Sequence, residues 1–230
     1  MRVVSSLLPQ EVRHRLRHGF DAIYSKSFPD KETIGVTSQW TIRTHDMNPG
    51  AIVYSGGVGG DISFELDLIR RFGVKIQIFD PSPVAQRTVD LADSSNLQFN
   101  CVGLAASESA SFSVGGVHEG KIWLKKGGDK KGADKTVSCT TLKAEMAKNG
   151  HQHIDLLKID IEGFEYEILE TCVDAQIPIK QICLEFHDFF PEIPKEKTRN
   201  AIRSLKSCGY QLIHRCRHDH TFYRVADHTN

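Results

Sequence analysis

Ala51-Ile52-Val53-Tyr54-Ser55-Gly56-Gly57-Val58-Gly59-Gly60-Asp61, continued through Ile62, Leu66, Ile69 and Gly73 to Val74-Lys75-Ile76-Gln77-Ile78-Phe79-Asp80, is the stretch that decides the fold. An apolar run ends in a turn with four glycines, more than a simple reversal requires, so something approaches that backbone closely. Ile62, Leu66 and Ile69 then recur at one-face helical spacing, with Asp61 placed as N-cap, until Gly73 stops the helix. A second extended run ends on Asp80, just before Pro81. That carboxylate follows the glycines by about 20 residues, the offset at which an acid after the second strand reaches ribose hydroxyls. Strand, glycine turn, helix, strand and acid together predict a nucleoside pocket.

What the turn lacks narrows the ligand. The dinucleotide pattern G-x-G-x-x-G counted from Gly57 needs glycine where Ile62 stands, and no G-x-x-x-x-G-K-[ST] loop occurs. Asp61 also puts a negative charge at the helix start, where a pyrophosphate would otherwise gain from free N–H groups and the dipole. S-adenosylmethionine carries no phosphate and bears a sulfonium and an ammonium, so the same acid favours it. The competing reading is an ordinary strand-turn-helix whose glycines only permit close packing.

Moving outward, 230 residues suit one large α/β domain, expected over 46–230 behind an N-terminal helical cap segment over 1–45. Within the cap, Val12, Leu16, Phe20 and Ile23 form the apolar side of a basic amphipathic helix over 9–24, a solvated cap or an interaction surface. Trp40-Thr41-Ile42-Arg43 is expected to cover cofactor or substrate. Lys plus Arg and Asp plus Glu both total 29, so no net field recruits nucleic acid. No apolar run reaches the ~20 residues of a membrane span and no secretory leader is visible, so a cytoplasmic location is expected. The six cysteines show no C-x-x-C and read as reduced, packed thiols.

Further on, strands are expected over 97–103, 136–139, 154–160, 179–187, 210–215 and 221–225, with helices from Pro81 to Leu91 and over 142–148, 163–172 and 195–208. A hairpin is expected between Ser109 and Lys126, and a surface loop over 127–135. The alternation predicts a doubly wound, Rossmann-like α/β sheet closed by an antiparallel strand pair. Ligands of such sheets gather at the carboxyl ends of the strands, which brings Gly57, Asp80, Leu104, Asp160 and His187 to one crevice. Leu157-Lys158-Ile159-Asp160-Ile161-Glu162-Gly163 delivers two carboxylates from a central strand, an arrangement costly to bury without a task. Asp160 is a candidate for positioning the methionine moiety or the acceptor, or simply an N-cap. Glu162 is a candidate to accept a hydroxyl proton, and His187, or Glu185 beside it, is a candidate general base. Cys216, His218 and His220 crowd one turn without zinc spacing, so no metal is expected.

These residues resemble the FkbM family of S-adenosylmethionine-dependent methyltransferases. The likeness rests on Val53 to Glu65, on Phe79-Asp80-Pro81-Ser82-Pro83, and on Asp155 to Gly163, and spans about residues 40–225. It implies a seven-stranded methyltransferase sheet, an adenosyl pocket around Gly57, Gly59 and Asp80, and O-methylation of a sugar, glycolipid or polyketide-type hydroxyl. The expected cofactor contacts are therefore Ser55, Gly57, Gly59, Asp61, Asp80 and Leu104, with Asp160, Glu162 and His187 as catalytic candidates. Many methyltransferases carry an acid where Ser55 stands, and Asp61 is expected to supply that charge. The expected partner is a small-molecule or carbohydrate acceptor, and an oligomer is left open. Two rivals remain: a catalytically silent adenosyl-binding scaffold, and a nicotinamide-dependent oxidoreductase, which Ile62 and Asp61 argue against.

Overall fold

The computed structural model describes residues 27–109, 112–118, 121–126 and 137–225. The helix expected over 9–24 and the loop over 127–135 lie outside the described residues. The chain opens with β1 (Lys31–Ile34) and β2 (Trp40–Arg43), then runs through β3 (Ile52–Gly56), α1 (Ser63–Phe72), β4 (Lys75–Phe79), α2 (Pro83–Ala92) and β5 (Leu97–Asn100). Next come β6 (Gly103–Leu104), β7 (Phe112–His118), β8 (Lys121–Lys126), β9 (Cys139–Thr140), α3 (Leu142–Asn149) and β10 (Ile154–Ile159). It finishes with α4 (Glu165–Asp174), β11 (Ile179–Glu185), α5 (Lys195–Ser207), β12 (Tyr210–Cys216) and β13 (Asp219–Arg224).

Seven of these strands form one sheet in the order β12-β13-β11-β10-β3-β4-β5. From β11 to β5 every neighbour is parallel, while β13 joins β11 and β12 antiparallel, which is the doubly wound sheet with a closing pair. Strand order reverses between β3 and β10, the switch point where open α/β sheets leave a crevice. The register there aligns Lys158 with Ser55 and Ile159 with Gly56. The glycine turn and Asp160 therefore leave the sheet side by side.

Alternation along the strands divides the core in two. Val53, Ile76, Ile78, Leu156 and Cys183 face one layer, where Phe64, Leu68, Ala85 and Val89 of α1 and α2 pack. Tyr54, Phe79, Leu157, Ile159, Ile182 and Leu184 face the other, against Met146, Tyr166, Leu169 and Leu205 of α3, α4 and α5. Each such aliphatic or aromatic side chain contributes about 1.5–3 kcal/mol on full burial.

Local chemistry sets the boundaries. Ser82 caps α2 by accepting from Ala85 N at 3.1 Å, with Pro83 at the first helical position. Thr141 caps α3 in the same way, and Gly73 and Gly150 end α1 and α3 in the left-handed conformation.

Three expectations need correction. The N-cap of α1 is Ile62, not Asp61, whose carboxylate instead accepts from Ser63 N at 2.7 Å one residue further out. Trp40 and Ile42 do not cover a ligand; they are core residues, and Gln181 clamps β2 to the sheet by bonding both Arg43 N (2.8 Å) and Arg43 O (2.9 Å). The strand expected over 97–103 breaks after Asn100, and Gly103-Leu104 pairs instead with Cys139-Thr140.

Candidate active site

The glycine turn is made of positions with different obligations. A Cβ on Gly57, at φ +73°, would lie 1.8 Å from Asp160 O, and one on Gly56 would lie 2.8 Å from Leu104 Cδ1. These two glycines let the turn close onto β10 and β6. Gly59, at φ +53°, would place a Cβ within 4 Å of nothing among the described residues, so the turn opens there on free space. Asp80, buried at the end of β4, ties the turn down: its Oδ2 accepts from Val58 N and Gly59 N, both at 2.9 Å. Its Oδ1 accepts from Ser82 N at 2.8 Å, which leaves that oxygen one further lone pair.

Ser55 is fully buried and points away from the free space, donating to Glu65 Oε1 at 2.6 Å. Glu65 closes the first family motif, and its spacing alone gives it no role. It sits on the buried arc of α1 between Phe64 and Leu68, and its Oε2 is buried without a hydrogen-bond partner among the described residues. Ser55 is thus tied to a carboxylate of the helix behind the strand. Lys158 was also overlooked: although buried within β10, its ammonium donates to Gly57 O and braces the turn from below.

At the ends of β10 and β11 the structure gathers Asp160, Glu162, Glu185 and His187. His187 is 1% exposed, and its Nε2 lies 3.4 Å from Glu162 Oε2, 3.7 Å from Asp160 Oδ1 and 3.9 Å from Glu185 Oε2. Behind the ring, fully buried Glu165 accepts from His187 N at 2.9 Å and lies 3.3 Å from its Nδ1, while its other oxygen accepts from Gly163 N at 2.9 Å. Glu165 therefore orients the ring, with Nδ1 turned inward and Nε2 facing the acids. That clamp also sustains an unusual backbone, for Glu162 sits at φ 54° and Gly163 at φ 104°. A non-glycine residue held there costs on the order of 1 kcal/mol or more and marks sites under functional constraint.

The electrostatics follow from crowding. Burial and the Asp160 charge raise Glu185 to about 7, and burial and Asp160 raise Asp219 to about 6. Burial alone would lower the His187 imidazole, but the Glu165 hydrogen bond and the charges of Glu165, Glu185 and Asp160 outweigh it, and the net direction is upward. Asp219 escaped the sequence reading because only the pairing of Glu185 with Asp219 across β11 and β13 brings it near. Beside the cluster, Phe189 is 48% exposed and stacks edge-on against Phe190 and His218 at 4.9 and 4.6 Å, giving the crevice an aromatic wall.

A doubly wound sheet of this strand order, with a clamped glycine turn opening on free space at its switch point, defines a nucleoside-binding α/β protein of the methyltransferase class. The methyltransferase FkbM domain matches residues 56–212, and the chain belongs to that family; S-adenosylmethionine is its cofactor. Among solved structures, it is similar to the Methanococcus jannaschii fibrillarin pre-rRNA processing protein, at 10% identity and a TM-score of 0.46, over 86% of this chain and 85% of that one. It is also similar to Aeropyrum pernix fibrillarin in complex with natively bound S-adenosyl-L-methionine, at 9% identity and a TM-score of 0.42, over 88% and 85%. None of the curated proteins matches the chain by sequence. No helix among the described residues is long and apolar enough to cross a membrane.

Proposed function

We propose that this methyltransferase modifies a hydroxyl oxygen of a sugar, glycolipid or other small metabolite. The observation that supports the reading is the contact between Gly57 and the Asp160 carbonyl, which puts the cofactor turn and the acid–histidine cluster on one crevice. The free space at Gly59 and the spare lone pair of Asp80 suit an adenosyl group, with Asp80 toward the ribose and Leu104 beside the base. Gly57 and Gly59 shape the turn, while Ser55 and Asp61 act through Glu65 and the start of α1. When bound, the cofactor supplies an electrophilic methyl group on a sulfonium.

For an acceptor hydroxyl the chain must orient the oxygen and remove one proton. Asp160 and Glu162, each about one quarter exposed, accept hydrogen bonds from the acceptor, and Glu162 takes the proton. His187 sets their positions and field from behind. A bound cofactor would give its methyl group to that oxygen and keep the electron pair on sulfur. Phe189 offers an apolar face of the kind that sugar rings stack against.

Calorimetry with S-adenosylhomocysteine and transfer of labelled methyl from S-adenosylmethionine to a panel of sugars, glycolipids and free nucleosides test the reading. Label in an alkali-stable ether of a sugar or lipid, lost in Glu162→Gln, is the expected result. Label appearing on nitrogen, or cofactor binding with no turnover on any hydroxyl compound, would refute it.

A further inference from the structure

We infer that Asp160, Glu185 and His187 form a binding site for one divalent cation of the Mn2+ type, which in turn holds the acceptor through two adjacent oxygens. The inference rests on the reading of this crevice as the acceptor site. One ligand atom from each residue lies within 4.8 Å of the other two, and two of the three side chains keep a face toward solvent. Ligand atoms at about 2.0–2.6 Å from a cation stand up to about 5 Å apart, so side-chain adjustment alone closes the site.

Three independent features support a ligand rather than a mere acid cluster. The first is Glu165: a fully buried carboxylate that holds Nδ1 of an imidazole and turns Nε2 toward two carboxylates is the usual outer partner of a metal-binding histidine. The second is Asp160 Oδ1, which is closed to solvent yet has no hydrogen-bond partner among the described residues. The third is charge. Asp160 and Glu185 make ion pairs with the His187 imidazole and, among the described residues, none with a lysine or arginine. A dication would supply what the side chains do not.

The donor set selects the ion. Two carboxylates and one imidazole are too few oxygens for Ca2+, which takes six to eight, and imidazole is an uncommon ligand for Mg2+. Mn2+ accepts both donor types and retains open positions for water and substrate. An acceptor with two neighbouring oxygens, as on a sugar ring, fills two such positions, and a hydroxyl bound there gives up its proton to Glu162 more readily. Spacing along the chain cannot reveal this site, because its ligands come from two strand ends joined only by the parallel pairing of β10 and β11.

The test is titration of the full chain, freed of metal with EDTA and desalted, with MnCl2 while free Mn2+ is followed by its electron paramagnetic resonance signal. One saturable site is expected, weakened tenfold or more in Asp160→Asn, whose partly exposed side chain keeps the fold safe. Glu165→Gln, which does not touch the ion, is expected to lose about 10–100-fold in affinity while its circular dichroism stays native. Competition by ZnCl2 and MgCl2 is expected to rank Mg2+ weakest. Absence of saturable Mn2+ binding, or equal binding by wild type and Asp160→Asn, overturns the site and leaves the imidazolium as the sole countercharge. S-adenosylhomocysteine affinity, measured separately by calorimetry, distinguishes the failures: Mn2+ binding without it removes the methyl-transfer reading and leaves the cation site standing.

Discussion

The two ends of the central sheet treat charge in opposite ways. At the amino end, Asp155 accepts from Ile52 N at 2.9 Å and faces Lys180 at 3.5 Å, which also bridges to Asp46 at 3.1 Å. Asp46 in turn accepts from Tyr223 Oη at 3.0 Å, and Arg43 lies between the Phe28 and Tyr223 rings while bonded to Asp30. Burial pulls the Lys180 ammonium down, yet the Asp46 and Asp155 carboxylates more than reverse it. At the carboxyl end, Asp160, Glu162, Glu185 and Asp219 crowd a single imidazole, and two of them are pushed up toward neutrality. A strand end that only has to be stable satisfies its acids with cations and N–H groups. One that must receive a ligand crowds its acids together, and among the described residues Asp160 Oδ1 is left without a hydrogen-bond partner.

The largest effects come from breaking the carboxyl end. Gly57→Ala forces a Cβ into the Asp160 carbonyl from a positive φ, so both the turn and β10 must shift. A loss of about 4 kcal/mol in unfolding free energy, together with loss of S-adenosylhomocysteine binding, is expected by denaturant titration and calorimetry. A wild-type midpoint in that variant would show that turn and cluster are not rigidly joined. Acid provides the next largest effect, through His220. Burial pushes this imidazole down to about 4; its Nδ1 lies 2.7 Å from His218 O, and its Nε2 has no partner among the described residues for an added proton. Between that value and the unfolded 6.5, the unfolded chain binds more protons, so stability is full above about 6.5 and is lost as pH falls through 4. The loss amounts to about 3 kcal/mol. Unfolding of wild type and His220→Phe between pH 4 and 7.5 measures it: the variant keeps the ring packing against Phe186 and Phe222 and is expected to lack that share of the acid sensitivity.

How much of this could be read beforehand follows the same division. The glycine turn was legible because its parts are adjacent in sequence and each has one geometric reason, as at Gly57, whose positive φ and contact with Asp160 leave room for nothing larger. The offset put Asp80 beside the turn, but its hold on Val58 N and Gly59 N was not legible. The doubly wound sheet was readable because strand and helix periods alternate from β3 to β5 and again from β9 to β12, whereas the count of seven strands came with the family resemblance. Glu65 was hidden because helical spacing marks its arc as apolar, and only the pairing of α1 with Ser55 gives the charge a reason to be there. Glu165 and Asp219 were hidden because the contacts that matter join residues 165 with 187 and 185 with 219, which become neighbours only through pairing and packing that no local pattern encodes.

Smaller substitutions at matched acids sharpen the contrast by sign. Asp155→Ala removes the acceptor for Ile52 N and one partner of Lys180, and is expected to cost about 2 kcal/mol, read as a lowered unfolding midpoint. Glu185→Gln at the other end is nearly isosteric and removes a charge that Asp160 and Asp219 both repel, so the same measurement in EDTA is expected to show a gain of about 1 kcal/mol. Methyl transfer by that variant is expected to fall, because the side chain that destabilises the empty fold is the one the ligand needs. With MnCl2 present, the stability gain should vanish or reverse, since only the wild type can offset the repulsion by binding the cation. Destabilisation of Glu185→Gln in EDTA would mean that this acid is satisfied like Asp155, and that the two ends of the sheet do not differ in kind.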